Sequence, residues 1–542
     1  MKPNTYSSLS ALVSCLGLLA VATAPSLSAA PADALDFSIT PIGRHTNNAP
    51  FNLSAAEIVA HDPATQRLFV VNGRDRRLDV LDILDPSNPT KVAQVDMSPY
   101  GNVVNSVAIH DGLIAVAMEA NVKTSPGNVV LLDRDLNVVN VIQAGALPDM
   151  VTFSPDGRWL LVANEGEPNT YNNFGSETNG PSVDPEGTVT IIDLATGPAT
   201  PIVRTATFTA FNGALPPGVR IDGPNATVAQ DLEPEYIAIS ADSTTAWVTL
   251  QENNALGIID IASATVTRLV GLGFKDHSQA GFGLDASDQD GGINIQTWPI
   301  LGMFQPDSIA AYQYQGQTYL VTANEGEARE WPGFRDDARV STLSLDTNVF
   351  PNAAVLKQTN NLGRLTVSRV DGDTDGDGDL DRIQVFGARS FTIWTADGQA
   401  VYDSGDQLEQ LTAAVFPTRF NASHSNNTLD NRSTAKGPEP EGLAIGKVAG
   451  RTLAFVGMER IGGVAVYDIS NPFEPGLLDY VNTRNFSGSF NFATSGDLGP
   501  EGVIFISAEN SPTGKPLVAA AHEISGSTVI YQINKRASKR EL

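Results

Sequence analysis

One pattern of apolar and polar positions recurs along the chain. An acidic or Asn residue opens a short apolar run, a second run ends on a polar residue after a turn, and a third closes near Asp. The first copy covers 57–62, 67–72 and 78–82; the second 105–109, 113–119 and 129–133; the third 149–157, 159–165 and 188–193. Four more follow at 235–260, 307–325, 441–468 and 501–533. Period-2 alternation with β-branched residues marks each run as a strand, and Asp-Gly or Asn-Pro turns separate the strands.

The openers Glu57, Asn105, Asp149, Glu235, Asp307, Glu441 and Glu501 are spaced 48, 44, 86, 72, 134 and 60 residues apart. The two shortest spacings match a four-stranded blade of about 40 to 50 residues, and the longer ones hold insertions. The pattern predicts an all-β fold: a seven-bladed β-propeller with loop and β-insertions, forming one domain over 31–542. A strand at 36–44 is expected to pair with the last strand, ending at Ile533, closing the ring and removing an exposed edge. Two stacked β-sandwiches are the competing architecture.

Equivalent places in a repeat become equivalent places in a ring. The acidic openers, and the second-strand ends Glu119, Glu165, Glu252, Glu325, Glu459 and Glu523, are therefore expected to converge on one rim. Crowded carboxylates cost stability unless cations neutralise them. Oxygen-only ligands favour Ca²⁺, Mg²⁺ or Mn²⁺. The candidate ring ligands are Glu57, Glu165, Glu235, Glu325, Glu441, Glu459, Glu501 and Glu523; the alternative for each acid is a turn cap or a solvated position.

The longest insertion, 327–438, carries the most specific local signal. In the run from Asp371 to Arg382, Asp373, Asp375, Asp377, Asp379 and Asp381 alternate with small residues. With Asp373 as position 1, they occupy positions 1, 3, 5, 7 and 9 of a calcium loop, with Gly378 at the turn position 6. Position 12 is Gln384 rather than Glu, and strands replace the flanking helices, so a β-embedded calcium loop is expected; a solvated acidic turn is the alternative.

Composition narrows the partners. The 542 residues carry 34 Lys+Arg against 61 Asp+Glu, a net charge of −27. A nucleic-acid binder relying on phosphate contacts is excluded, because that affinity comes from clustered Lys and Arg. Residues 1–30 read as a secretory signal: Lys2, an apolar stretch over 9–24, and Ser28-Ala29-Ala30 for cleavage. Cleavage would remove Cys15, the only cysteine, leaving no disulfide or thiolate ligand. The last eight residues have no apolar tail, so a product with no membrane span or C-terminal anchor is expected, secreted to an extracellular or periplasmic space.

Catalytic signals are sparse. The sequence has no HExxH, Gly-x-Ser-x-Gly or phosphate-loop motif. His277 and His424 are expected in surface loops. Arg329, Arg335 and Arg339 follow Asn324-Glu325-Gly326-Glu327-Ala328. They would clamp a phosphate at the mouth, or else form salt bridges with Asp336 and Asp337.

Asn324-Glu325-Gly326-Glu327-Ala328-Arg329-Glu330, the aspartate loop running into Phe386-Gly387-Ala388-Arg389-Ser390-Phe391-Thr392-Ile393, and Lys436-Gly437-Pro438-Glu439-Pro440-Glu441-Gly442 resemble the choice-of-anchor I family. That family includes secreted bacterial proteins and the mesenchyme-specific cell-surface glycoproteins of biomineralising animals. The resemblance implies an exported β-propeller, often tethered by a C-terminal anchor, of which no sign is expected here. It leaves two functions open. One is a secreted calcium-binding propeller with an extracellular interaction or mineral-associated role. The other follows relatives labelled alkaline phosphatase-like: a metal-dependent phosphomonoesterase with a carboxylate metal cluster at the channel mouth and Arg329 on the phosphoryl oxygens. Ca²⁺ is the expected ion, a further divalent or trivalent metal is compatible, and phosphate esters or extracellular matrix and mineral are the expected partners.

Overall fold

The computed structural model describes residues 37–48, 51–171, 182–491 and 493–536. The proposed signal segment 1–30 lies outside the described residues.

Among the described residues, seven four-stranded antiparallel sheets account for the repeat. Blade one holds Val59–Asp62, Arg67–Asn72, Arg77–Asp82 and Thr90–Asp96. Blades two, three and four begin with Val103–His110, Pro148–Phe153 and Pro234–Ile239, and blades five, six and seven with Ile309–Tyr314, Pro440–Val448 and Pro500–Ile506. Each of these first strands contacts the first strand of the next blade, and that of blade seven contacts blade one, so the blades form a closed ring. This excludes the stacked sandwiches.

Packing explains the sequence pattern. A second strand such as Trp159–Asn164 is buried along its whole length because neighbouring blades cover both of its faces. The outermost strand Thr90–Asp96 alternates exposed and half-buried positions, because its far side meets water. Separate apolar clusters fill the gap between every adjacent pair of blades. One of them joins Val59, Leu68 and Val70 of blade one to Leu517, Ala519 and Ile530 of blade seven.

The last blade is completed by the beginning of the chain. Phe37–Thr46 runs antiparallel to Ser527–Lys535, with Phe37 opposite Lys535 and Thr46 opposite Ser527. The expected pairing is therefore present, and it seals the seventh blade with Phe37 and Ile39 buried against blade six.

The proposed boundaries of the insertion, 327–438, need correction. Ser390–Thr395 and Ala400–Asp403 are the third and fourth strands of blade five, so the excursion splits into 325–389 and 404–439. Phe391, Ile393 and Trp394 are packed between blades, which holds that stretch in the propeller. The first excursion builds a core of its own from Val340, Phe350, Leu362, Leu380 and Ile383, with Trp298 from the segment before blade five. Among the described residues, no helix is long and apolar enough to cross a membrane.

Candidate functional site

The first strand of each blade begins at the rim where its second strand ends, so openers and second-strand ends share that rim. In blade three, Pro148 lies opposite Asn164, placing Asp149 and Glu165 together. The opener is aimed by a bulge. One extra residue interrupts the pairing between Pro148 and Val151, and the same shift recurs at Pro234/Ile237, Pro440/Leu443 and Pro500/Val503. A bulge re-aims the side chain it carries, here toward the axis.

Before three of the five opener prolines a non-glycine residue adopts left-handed backbone: Leu147 (φ 51°), Gln305 (φ 42°) and Glu439 (φ 53°). Such geometry costs on the order of 1 to 3 kcal/mol for a non-glycine residue and clusters at functional sites. Close approach of blades fixes a glycine after two openers: a Cβ at Gly442 would lie 2.2 Å from the Glu501 carbonyl oxygen, and one at Gly502 would lie 2.5 Å from that of Glu57.

The result is a small axial cavity lined by Glu57, Asn105, Asp149, Tyr236, Asp307 and Glu501. Its carboxylates act on one another. Burial, then Glu523 and Asp149, hold Glu57 well above the usual carboxylate range. Burial followed by facing acids does the same to Glu165, Glu235, Glu441 and Glu501. Burial pushes Asp149 up to about 7. It pushes Glu523 up to about 8, with Glu459 adding to it. Buried oxygens Oε2 of Glu57, Glu252, Glu441, Glu459 and Glu501 accept no hydrogen bond. An acceptor left unsatisfied in a buried position is costly, and a cation bound by oxygen would satisfy several at once.

Among the described residues, several sets of three acids are close enough to share an ion. Oxygens of Asp149, Glu165 and Glu235 lie within 4.8 Å of one another, as do those of Asp307, Glu325 and Glu441. Glu459 joins a third set, with Glu325 and Glu439.

Between blades five and six, several basic groups meet these acids. Lys436 Nζ is 2.8 Å from Glu325 and 3.1 Å from Glu439. Arg460 is 2.9 Å from Glu439 and 2.8 Å from Glu459. Burial works against ionisation of Glu439, yet Lys436, Arg432 and Arg460 hold it far below the usual range. His424 lies 3.2 Å from Glu459 and also contacts Arg460, so it belongs to the rim rather than the open surface. His277, also expected at the surface, is buried, with Nδ1 2.6 Å from the Phe282 carbonyl oxygen.

Arg329 does not stand free at the mouth. It is 2% exposed, lies 2.5 Å from both Asp222 and Asp231 and 3.4 Å from Glu233, and donates to the Asp231 carbonyl oxygen at 2.6 Å. A guanidinium so enclosed is not available as a phosphate clamp. The salt-bridge alternative holds for Arg335, which pairs with Asp337 at 2.9 Å, whereas Asp336 is taken by Arg220.

The aspartate loop lies apart from the axis. Asp373 accepts from the amides of Gly376 at 2.7 Å and Gly378 at 2.9 Å, and Asp381 accepts from Thr374 N at 2.7 Å. Asp375 and Asp377 face solvent, and repulsion from Asp377 raises Asp375. Asp379 and Asp381 instead meet Asp346, all three within 4.8 Å. Asp346 escapes sequence reading because a bridge between Leu345 and Leu380 brings it there. Glu233 and Glu439 were missed as well, although each precedes an opener in a Glu-Pro-Glu triplet. Proline stands before the opener in five of the seven copies, a signal that marks the bulge.

A closed ring of four-stranded sheets with acids gathered at one rim makes this a β-propeller with a carboxylate-lined axial mouth. The choice-of-anchor I domain matches residues 57–472, most of the 542, and the chain belongs to the choice-of-anchor I family. It is 30% identical over 283 residues to the mesenchyme-specific cell surface glycoprotein of Strongylocentrotus purpuratus, covering 46% of this chain and 36% of that protein. It is 32% identical over 184 residues to Gigasin-3a of Magallana gigas, covering 32% of this chain and 64% of that one. The matches thus span less than two thirds of either relative. Among solved structures, the WD40 domain of Toxoplasma gondii coronin overlays with a TM-score of 0.46 at 9% identity, covering 93% of this chain and 88% of that one. Kuenenia stuttgartiensis hydrazine synthase overlays with a TM-score of 0.44 at 12% identity, covering 91% and 99%.

Proposed function

We propose that this protein is a secreted, calcium-binding propeller that holds divalent cations at its axial carboxylates and in the aspartate loop, and serves an extracellular interaction or mineral-associated role. The observation that carries the reading is the axial cluster itself: buried acids with raised carboxyl pKa values and unsatisfied oxygens, at a place where a bound cation would relieve both repulsion and desolvation. The donor set is all oxygen, which suits Ca²⁺ with its six to eight oxygen ligands. The aspartate loop adds closely spaced carboxylates on a separate element. Export is supported by the signal-like segment 1–30, and the extracellular setting by a relative named a cell surface glycoprotein.

Metal analysis of the purified chain, with thermal melts in EDTA and in millimolar Ca²⁺, tests the reading. Co-purifying calcium or a melt raised by Ca²⁺ is expected; a metal-free chain whose melt ignores Ca²⁺ refutes it. The phosphomonoesterase alternative requires a basic group free to face the ester, a role that Arg329 does not fill. Turnover of p-nitrophenyl phosphate in the presence of Ca²⁺ would revive it.

A further inference from the structure

The two axial sets of three acids obey one rule. Asp149, Glu165 and Glu235 are the opener of blade three, the residue closing its second strand, and the opener of blade four. Asp307, Glu325 and Glu441 are the same three positions for blades five and six. They form the same inter-blade slot two blades apart.

The slots differ in what neutralises them. Between blades five and six the positive charge is built in: Lys436 reaches Glu325 at 2.8 Å, Glu327 at 3.0 Å and Glu439 at 3.1 Å. The Lys436 charge also acts on Asp307. Between blades three and four, Asp149, Glu165 and Glu235 have no such partner among the described residues. The Lys123 charge acts on Glu165, but its ammonium is paired with Glu167, and the nearby Arg329 is paired with Asp222, Asp231 and Glu233.

Two further acids point to a ligand in this slot. Glu252 is 6% exposed and its buried Oε2 has no hydrogen-bond partner. Its charge acts on both Glu165 and Glu235. Glu233 is 1% exposed, neither of its oxygens accepts a hydrogen bond, and it interacts with Glu252 and Glu165. Arg329, shared with Asp222 and Asp231, and Arg220, shared with Asp222, Asp336 and Asp371, do not balance this many buried acids, and an isolated buried charge is far too costly to persist.

We infer that the slot between blades three and four binds one calcium-type divalent cation through Asp149, Glu165 and Glu235; in the corresponding slot between blades five and six, Glu325 is already paired with the Lys436 ammonium. The inference rests on the proposed cation-binding function and assigns it a site. Glu252 and Glu233 supply further carboxylate oxygens nearby. With no nitrogen or sulfur donor among these five, the site suits Ca²⁺ rather than a transition metal.

Calcium binding to the full chain after chelation, by titration calorimetry and equilibrium dialysis, tests this. The E165Q/E235Q variant should bind one ion fewer per chain, whereas D373N/D381N should keep the slot ion. K436M should gain one ion, because removing the ammonium leaves the second slot uncompensated. An unchanged ion count in a folded E165Q/E235Q chain overturns the assignment while leaving the calcium function standing. A wild-type chain that binds no Ca²⁺ overturns the function itself. Should K436M fail to fold, Tb³⁺ gives a second readout. Tyr236 adjoins Glu235 and lines the cavity, so tyrosine-sensitised Tb³⁺ emission should fall in Y236F and E165Q/E235Q and persist in D373N/D381N. Equal emission in all four proteins overturns the placement.

Discussion

Raising the pH of the cation-free protein should destabilise it, the reverse of what salt-bridged carboxylates do. Burial pushes Asp149 up to about 7; burial together with neighbouring acids brings Glu325 to about 7 and Glu523 to about 8. In the unfolded chain such groups release their protons near pH 4. Between about pH 4 and about pH 7 the folded state therefore keeps protons that the unfolded state has lost, and the unfolding free energy falls as pH rises. For Asp149 alone, the difference between its ordinary value of 3.8 and about 7 is worth on the order of 4 kcal/mol across that window. A bound Ca²⁺ would replace those protons and remove the slope. Urea unfolding in EDTA at about pH 5 and about pH 7.5 should give a lower midpoint at the higher pH. Millimolar Ca²⁺ should restore it. Asp149→Asn should raise the chelated midpoint at the higher pH and weaken the response to Ca²⁺. A chelated midpoint that is flat or rises with pH refutes the account of the axial acids.

Arg329→Met would leave Asp231 and Glu233 buried without their counter-ion, Asp222 keeping only Arg220, and a loss of about 3 to 5 kcal/mol is expected; an unchanged thermal melt would contradict it. Ile39→Ala, in the strand that seals blade seven, should cost about 2 to 4 kcal/mol. Val92→Ala, on an outer strand at 50% exposure, should stay within about 0.5 kcal/mol; equal losses in denaturant unfolding would rule out the sealing strand as a core element. Gly442→Ala should lower the melting temperature by forcing apart Gly442 and Glu501, whose backbones meet at the axis; a wild-type melt would show that the contact yields freely.

The blades could be read from the sequence because each one repeats the same burial problem. Strands such as 67–72 and 159–164 are apolar on both faces wherever they are found, and the strand at 36–44 had no partner other than the last one. The acids at the openers were visible for the same reason. What did not show was pairing across long separations. Arg329 was read beside Asp336 and Asp337, its neighbours in sequence, yet the fold places it against Asp222 and Asp231. The split of the long excursion was also hidden, because its strands at 390–395 and 400–403 resemble those around them and only packing between blades assigns them to the propeller. Lys436 and Arg460 were passed over because a basic residue among acids at the sequence level gives no sign of which slot it fills.

The pairing of Phe37 with Lys535 joins positions near opposite ends of the described chain. Contacts so distant in sequence form late, because the entropy of closing the intervening chain must be met first. Until that strand docks, blade seven lacks its outer edge and cannot settle between blades six and one, so the first-strand acids Glu57 and Glu501 are not yet driven together. Docking of the closing strand is thus tied to the concentration of negative charge at the axis. With cations bound at the axial acids as proposed, a medium rich in divalent cations would favour the closed ring, whereas a cation-poor one would leave it prone to reopen at its seam.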